Sequence, residues 1–323
     1  MLYRKRKTAI ILATVTVLFW GCGKEPTGDG GNGDDEHDYE DDFGVTWQLT
    51  DLPGHETAPT WSPDGSTIAF VWDVGGPETI YLIPATGGIA TKLTDTNTRA
   101  TDPCWAPDGS SILFDDGDNK HHSSQNIYSI DVNTGETTFI TDGVGGAFDP
   151  YWFPDMTKII FAGRCDFNYA LYTMEIPDGV PERIRTPNIK QRYLQPALSA
   201  DGTKLAYYFE QDYDELIGQD WVNILVAETL SGPGDSYSDK ACYPYPTWSP
   251  DGSEVAYISD SKGYIYSRDL FVYSFETGKK RRIVDTPYGA TTPSWSPDGS
   301  KIAYANKIDE NGDYDIWIVE LNE

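Results

Sequence analysis

The sequence predicts an all-β chain folded as a six-bladed β-propeller of four-stranded antiparallel blades, and three observations carry that prediction. A short phrase recurs six times, at Pro59–Gly65, Pro103–Gly109, Pro150–Met156, Pro196–Gly202, Pro246–Gly252 and Pro293–Gly299. The bulky residue at its third position (Trp61, Trp105, Trp152, Leu198, Trp248, Trp295) returns at intervals of 44, 47, 46, 50 and 47 residues, the length of one blade. Pro, Gly, Asn and Asp punctuate each repeat too often for helical repeats of similar period.

Each element of a repeat follows from its residues. Ser62-Pro63-Asp64-Gly65 has Ser, Pro, Asp and Gly at the successive positions a type I turn favours. Second strands follow in Ile68-Ala69-Phe70, Ile112-Leu113-Phe114, Ile159-Ile160-Phe161, Leu205-Ala206-Tyr207, Val255-Ala256-Tyr257 and Ile302-Ala303-Tyr304. Third strands run through Ile80-Tyr81-Leu82, Leu270-Phe271-Val272 and their counterparts, and fourth strands through segments such as Lys92-Leu93-Thr94 and Arg282-Ile283-Val284. After Ile316-Trp317-Ile318-Val319 the last repeat lacks a fourth strand. Val45-Thr46-Trp47-Gln48-Leu49-Thr50-Asp51 has the Leu-Thr-Asp ending of Lys92-Leu93-Thr94-Asp95, so residues 45–51 are expected to complete the last blade, with Val45, Trp47 and Leu49 on one buried face.

These residues resemble the TolB-like, WD40-like (PD40) β-propeller repeats, whose pattern is Pro-x-Trp-Ser-Pro-Asp-Gly, then Ile-Ala-Phe, Ile-Tyr and Leu-Thr; the likeness covers residues 45–323. Blade two has Ala106 for Ser, blade three Phe153 for Ser and Met156 for Gly, and blade four Leu198 and Ala200 for Trp and Pro. The resemblance implies a propeller that binds a protein or polymer in the cell envelope, and it specifies architecture more than activity.

Arg4-Lys5-Arg6-Lys7, the apolar stretch from Thr8 to Trp20, and Gly21-Cys22 look like a bacterial lipoprotein signal. The stretch is short of the roughly 20 residues a spanning helix needs. The expected organisation is a signal peptide at 1–21, a disordered acidic Gly-rich tether at 22–43 beginning at a lipidated Cys22, and the propeller at 44–323. The protein is expected to be exported, held to a bacterial membrane only by its lipid, and monomeric. A formal charge of −27 argues against nucleic-acid partners, which require a basic face. Among the remaining cysteines, Cys104 and Cys165 are expected on one rim of adjacent blades, where an oxidising compartment permits a disulfide and free buried thiols are the alternative.

The turns on one face of the ring are nearly uniform, whereas long insertions at Asp115 to Gln125, Phe209 to Asp220, Asp260 to Asp269 and Asn306 to Asp315 make the opposite face variable. Variable loops on a rigid scaffold carry function. The residues before each motif Pro, Ala58, Asp102, Asp149, Gln195, Tyr245 and Thr292, are expected to ring the channel mouth there. His55, Arg99, Phe148, Arg192, Tyr193 and Tyr243 lie near them in sequence, and aromatic plus Arg is the composition of binding hot spots.

Signals of catalysis are sparse. The motif aspartates repeat with the turns, and no Gly-x-Ser-x-Gly elbow occurs. His121-His122, adjacent in an extended loop, point to opposite sides. Asp309, Asn311, Asp313 and Asp315 alternate like the start of a calcium loop, without its Gly spacing or downstream Glu. No cofactor is expected; calcium is the ion this loop would take. The leading expectation is a non-catalytic binding module for an envelope protein or polysaccharide. The alternative is a metal-assisted carbohydrate-active propeller, a lyase or hydrolase.

Overall fold

The computed structural model of the chain describes residues 39–94, 99–117, 125–141, 146–166, 168–187, 191–214, 219–227, 235–236, 245–260 and 268–322. The signal segment, Cys22 and the acidic segment through residue 38 lie outside them, as do His121, His122 and Tyr243.

All regular structure among the described residues is β. Six sheets follow one another along the chain, each with its first strand innermost and its last outermost. Blade one is His55–Trp61, Thr67–Asp73, Thr79–Pro84 and Thr91–Lys92. The innermost strands of the next four blades are Thr101–Trp105, Ala147–Trp152, Gln191–Leu198 and Thr247–Trp248. Blade six is Ala290–Trp295, Lys301–Asn306 and Asp315–Glu320, completed by Val45–Gln48, which pairs antiparallel as Val45 with Glu320 through Gln48 with Trp317. The N-terminal strand therefore closes the ring. Trp47 and Leu49 are half-buried against the cluster between blades six and one. Val45 remains 66% exposed, because its partner Glu320 ends the strand beyond the core.

The core consists of six clusters, one at each blade-to-blade interface. Each motif Trp, and Leu198 in its place, packs in the cluster shared with the preceding blade, so the sixfold residue joins blades more than it fills one. The indole N–H of Trp105 donates to the Thr60 carbonyl (3.2 Å) and that of Trp248 to the Ala197 carbonyl (3.1 Å), each on the preceding innermost strand.

The motif turns are held by their own side chains. Gly65 N–H donates to Ser62 O (2.9 Å), Ser62 Oγ donates to Asp64 Oδ1 (2.6 Å), and Thr67 N–H donates to Ser62 Oγ (3.0 Å). Blades four, five and six repeat this with Ser199/Asp201, Ser249/Asp251 and Ser296/Asp298. Met156 takes the left-handed conformation (φ 58°) that Gly supplies in the other turns. Hydrogen bonds from Ser62 and then Ser66 hold the Asp64 carboxyl down to about 2, and those from Ser199 and Thr203 do the same for Asp201. These turns contribute stability above the ordinary carboxylate value and lose it as pH falls towards 2. Side-chain carboxyl NMR is expected to give titration midpoints near 2 for both; midpoints near 3.8 would contradict the turn geometry.

One sequence expectation is corrected. The acidic segment is not free tether up to residue 43: Glu40–Asp41 runs parallel to Lys280–Val284, the outermost strand of blade five, making that sheet five-stranded. A basic edge supplies counter-charges that composition alone does not reveal. Gly44 follows, pressed onto blade six, where an added Cβ would lie 2.2 Å from the Glu320 carbonyl oxygen. Cys104 and Cys165 are not bonded to each other in the structure, where both are free thiols. Cys104 packs in mid-strand against blade three, where burial pushes its thiol up to about 12. Cys165 ends the second strand of blade three, beside the Arg183 guanidinium.

Candidate functional site at the channel mouth

Each innermost strand must carry a Pro that has no N–H for the ladder, and the residue before it absorbs the consequence. Ala58, Asp102, Asp149, Gln195, Tyr245 and Thr292 all adopt the left-handed region, with φ between 41° and 51°, where non-Gly residues are uncommon and a residue preceding Pro is unusual. The pairing register slips at five of these positions, all but Tyr245, for example between Thr57 and Thr60 and between Leu194 and Ala197. This is a β-bulge repeated around the ring. Its backbone N–H, turned out of the ladder, is bonded by a neighbouring blade. Thr292 Oγ1 accepts from Ala58 N–H (3.1 Å), Asp149 Oδ2 from Gln195 N–H (3.0 Å), and Gln195 Oε1 from Tyr245 N–H (3.0 Å). Asp149 N–H donates to Asp115 Oδ2 (3.4 Å).

The six residues line one central cavity of about 420 Å³, whose other end is walled by the turn residues Pro63, Pro107, Pro154, Ala200, Pro250 and Pro297. Its polar face is lopsided. Asp102 and Asp149 keep some surface in the channel although protein surrounds them, and Asp115 behind them is fully buried. Thr101 Oγ1 (2.8 Å) and Gly117 N–H (3.0 Å) donate to Asp115 Oδ1. Among the described residues no ion pair reaches any of the three. Burial raises the Asp102 carboxyl to about 6; burial and then repulsion from Asp102 hold Asp115 and Asp149 well above the usual range. The three carboxyls thus hold protons to higher pH than ordinary carboxylates do.

Of the residues proposed from sequence, the structure brings Asp102, Asp149, Gln195, Tyr245 and Thr292 together around this cavity. The others are engaged elsewhere. Arg99 pairs with Glu78, and Arg192 with Glu210 at 3.0 Å. Phe148 is buried edge-on to Tyr169, and Tyr193 packs against Tyr207 and Phe209. His55 Nδ1 accepts from Tyr314 N–H (3.1 Å) at the seam between blades one and six. Sequence reasoning did not place Asp115 at the mouth; its signal was an acid directly after the apolar strand Ile112-Leu113-Phe114.

The proposed calcium loop does not converge. Asp309 Oδ1 accepts from Asn311 N–H (2.9 Å), closing a local turn. Asp313 Oδ2 accepts from Gly54 N–H (3.2 Å), and the Asp315 carboxyl meets that of Glu56. Among the described residues no group of three or more His, Cys, Asp or Glu is arranged to hold a metal.

Residues 44–120 match the TolB beta propeller domain. Over 98 residues the chain is 35% identical to an uncharacterized peptidase, YuxL, of Bacillus subtilis strain 168, a stretch covering 30% of this chain and 14% of that protein. Among solved structures, TolB from Acinetobacter baumannii superposes with a TM-score of 0.63 at 21% identity, covering 75% of this chain and 57% of that one. The chain therefore spans less than two thirds of the length of either. An oligogalacturonate lyase in complex with manganese superposes with a TM-score of 0.57 at 14% identity, covering 88% and 96%; at such identities the likeness is one of fold. By its recurrent phrase and its closed six-bladed ring the chain is a six-bladed β-propeller, similar over residues 44–120 to the TolB beta propeller domain.

Proposed function

We propose that the protein is a non-catalytic binding module of the bacterial cell envelope, lipid-anchored through Cys22, which takes a protein or polysaccharide segment at the channel mouth. The observation that carries this reading is the ring of six left-handed residues converging on one cavity. Backbone strain of this kind costs on the order of 1 kcal/mol or more per residue and persists where the surroundings over-determine it, as at binding sites. The domain similarity over residues 44–120 supports a binding role. The lipoprotein-like leader supports export and anchoring.

Affinity capture from envelope extract with the full chain tests the mouth. Asp102→Asn combined with Tyr245→Ala is expected to lower capture of the bound partner at least tenfold. Arg192→Ala, which removes a rim arginine already paired with Glu210, is expected to leave it within twofold. Equal loss in both variants, or in neither, would remove the mouth from consideration. Metabolic lipid labelling of wild type, lost in Cys22→Ser, tests the anchor.

The raised carboxyls of Asp102, Asp115 and Asp149 favour a second reading, a carbohydrate-active enzyme using one of them as general acid. Metal-dependent release of unsaturated product from an acidic polysaccharide, abolished by Asp102→Asn, would establish it over the first.

A further inference from the structure

The outer edge of blade five lies on the ring's circumference, away from the channel, and begins with four consecutive cations, Lys279 to Arg282, in a chain of net charge −27. The chain's own Tyr39–Phe43 is seated on it. Glu40 and Asp41 pair in parallel with Arg281 and Arg282, and Asp42 N–H donates to the Arg282 carbonyl (3.0 Å). Each acid meets a cation: Glu40 with Lys279 (2.6 Å), Asp41 with Arg282 (2.7 Å) and Asp42 with Arg281 (2.6 Å). The Arg282 guanidinium lies over the rings of both Tyr39 and Phe43, at 5.3 and 5.2 Å, and Tyr39 packs edge-on to Phe271.

Two features separate this contact from an ordinary structural strand. The blade is complete without it: the other five sheets have four strands, and the ring is closed by Val45–Gln48. The edge is also preorganised from behind. Arg281 also meets Glu254 (2.7 Å), and Arg282 also meets Asp269 (3.4 Å) and Asp285 (3.6 Å), all three acids belonging to blade five itself. The occupant's backbone hold is short, although the Asn322 amide donates to Asp42 (2.7 Å) and to the Phe43 carbonyl (3.2 Å) at its end. Its ladder has two register pairs, and the Lys279–Glu40 pair is more than half exposed on both sides, where an ion pair contributes about 0–1 kcal/mol.

We infer that the outer edge of blade five is a docking site for an extended acidic segment flanked by aromatic residues, and that Tyr39–Phe43 is a resident occupant which a partner's segment of the same chemistry replaces. Recognition combines strand addition to a sheet edge with charge pairing and an arginine held between two rings. The chain's own segment displays the chemistry that fits.

The test uses the full chain with Glu40→Gln, Asp41→Asn and Asp42→Asn together, and a fluorescent peptide with the sequence of residues 38–44. By anisotropy the peptide is expected to bind this variant at least tenfold more tightly than wild type, to weaken with added salt, and to lose binding when Arg282→Ala is included. A second variant, Tyr39→Ser with Phe43→Ser, loosens the occupant without changing charge and is expected to bind the peptide as well. In wild type, the amides of Glu40 to Asp42 are expected to exchange at least a hundredfold faster than those of Thr46 to Gln48. Absence of peptide binding to variants that melt cooperatively, or equal protection of the two segments in wild type, overturns the proposal and makes Tyr39–Phe43 a fixed strap.

Discussion

Deleting residues 44–51 is expected to abolish the folded monomer. The deletion removes the four-residue ladder to Asp315–Glu320, the Leu49 N–H bond to the Ile316 carbonyl (2.8 Å), and the Thr50 hydroxyl that accepts from Ile316 N–H (2.8 Å). It also strips Trp47 and Leu49 from the cluster holding Trp61, Ile68, Ile316 and Ile318. Full burial of such side chains is worth roughly 1.5–3 kcal/mol each, and these two are half-buried. With the ladder, the loss is on the order of 5 kcal/mol, against a net domain stability of about 5–15 kcal/mol. The bare third strand of blade six would then offer its edge to other chains. Size exclusion should show aggregate, and no cooperative melt should remain. The graded variant Trp47→Ala should lower Tm by several degrees, at about 2–4 °C per kcal/mol for a domain of this size. A deletion that stayed monomeric and melted within a few degrees of the full chain would refute closure by the N-terminal strand.

Glu56→Gln is expected to stabilise the protein, and increasingly so as pH rises from about 4.5 to 8. Glu56, fully buried at the seam between blades one and six, faces the Asp315 carboxyl. Burial first, then the contact with Asp315, raises it to about 8; the Thr50 hydroxyl and Leu52 N–H only moderate this. Asp51 and Asp313 add further negative charge beside Asp315, and the Lys307 ammonium of the same seam lies over the Tyr314 ring (4.6 Å). The folded state therefore holds a proton that the unfolded chain has released. Stability conferred by that proton is complete below about pH 4.5 and declines until the folded group itself ionises near 8. Gln keeps an N–H donor towards Asp315 and has no proton to lose. The variant and wild type should match near pH 4 and diverge by up to about 1.4 kcal/mol per pH unit, reaching on the order of 2 kcal/mol at pH 7. Denaturant melts across this range provide the measurement. A constant difference at all pH values, or a less stable Gln variant at pH 7, would rule out the shared proton.

The fold was legible in the sequence because every blade repeats a local instruction: a turn that fixes its own Ser and Asp, and a Trp spaced one blade from the next. The closing strand was legible because its Leu-Thr-Asp ending matches that of blade one. The site was legible only in part. A position directly before Pro is fixed by the repeat, so Asp102, Asp149, Gln195, Tyr245 and Thr292 were found. Arg99 and Arg192 were not at the mouth because their charges are taken up by Glu78 and Glu210, partners 21 and 18 residues away on neighbouring strands, which composition cannot assign. The Glu56–Asp315 pair joins residues from opposite ends of the chain, and no local pattern announces it. The same holds for Tyr39–Phe43 and the cations of blade five.

The closing strand also sets an order of events. Val45–Gln48 precedes the six repeats, yet its partners Trp317 to Glu320 follow the innermost strands of all six. Five blades can condense in sequence, each on its neighbour, while the first strand stays unpaired until the third strand of blade six is in place. Completion of the ring thus couples the two flanks of the repeat array. A chain cut short before residue 317 lacks the strand that Val45–Gln48 must grip, and its exposed edge marks it as unfinished to any factor that binds open strands.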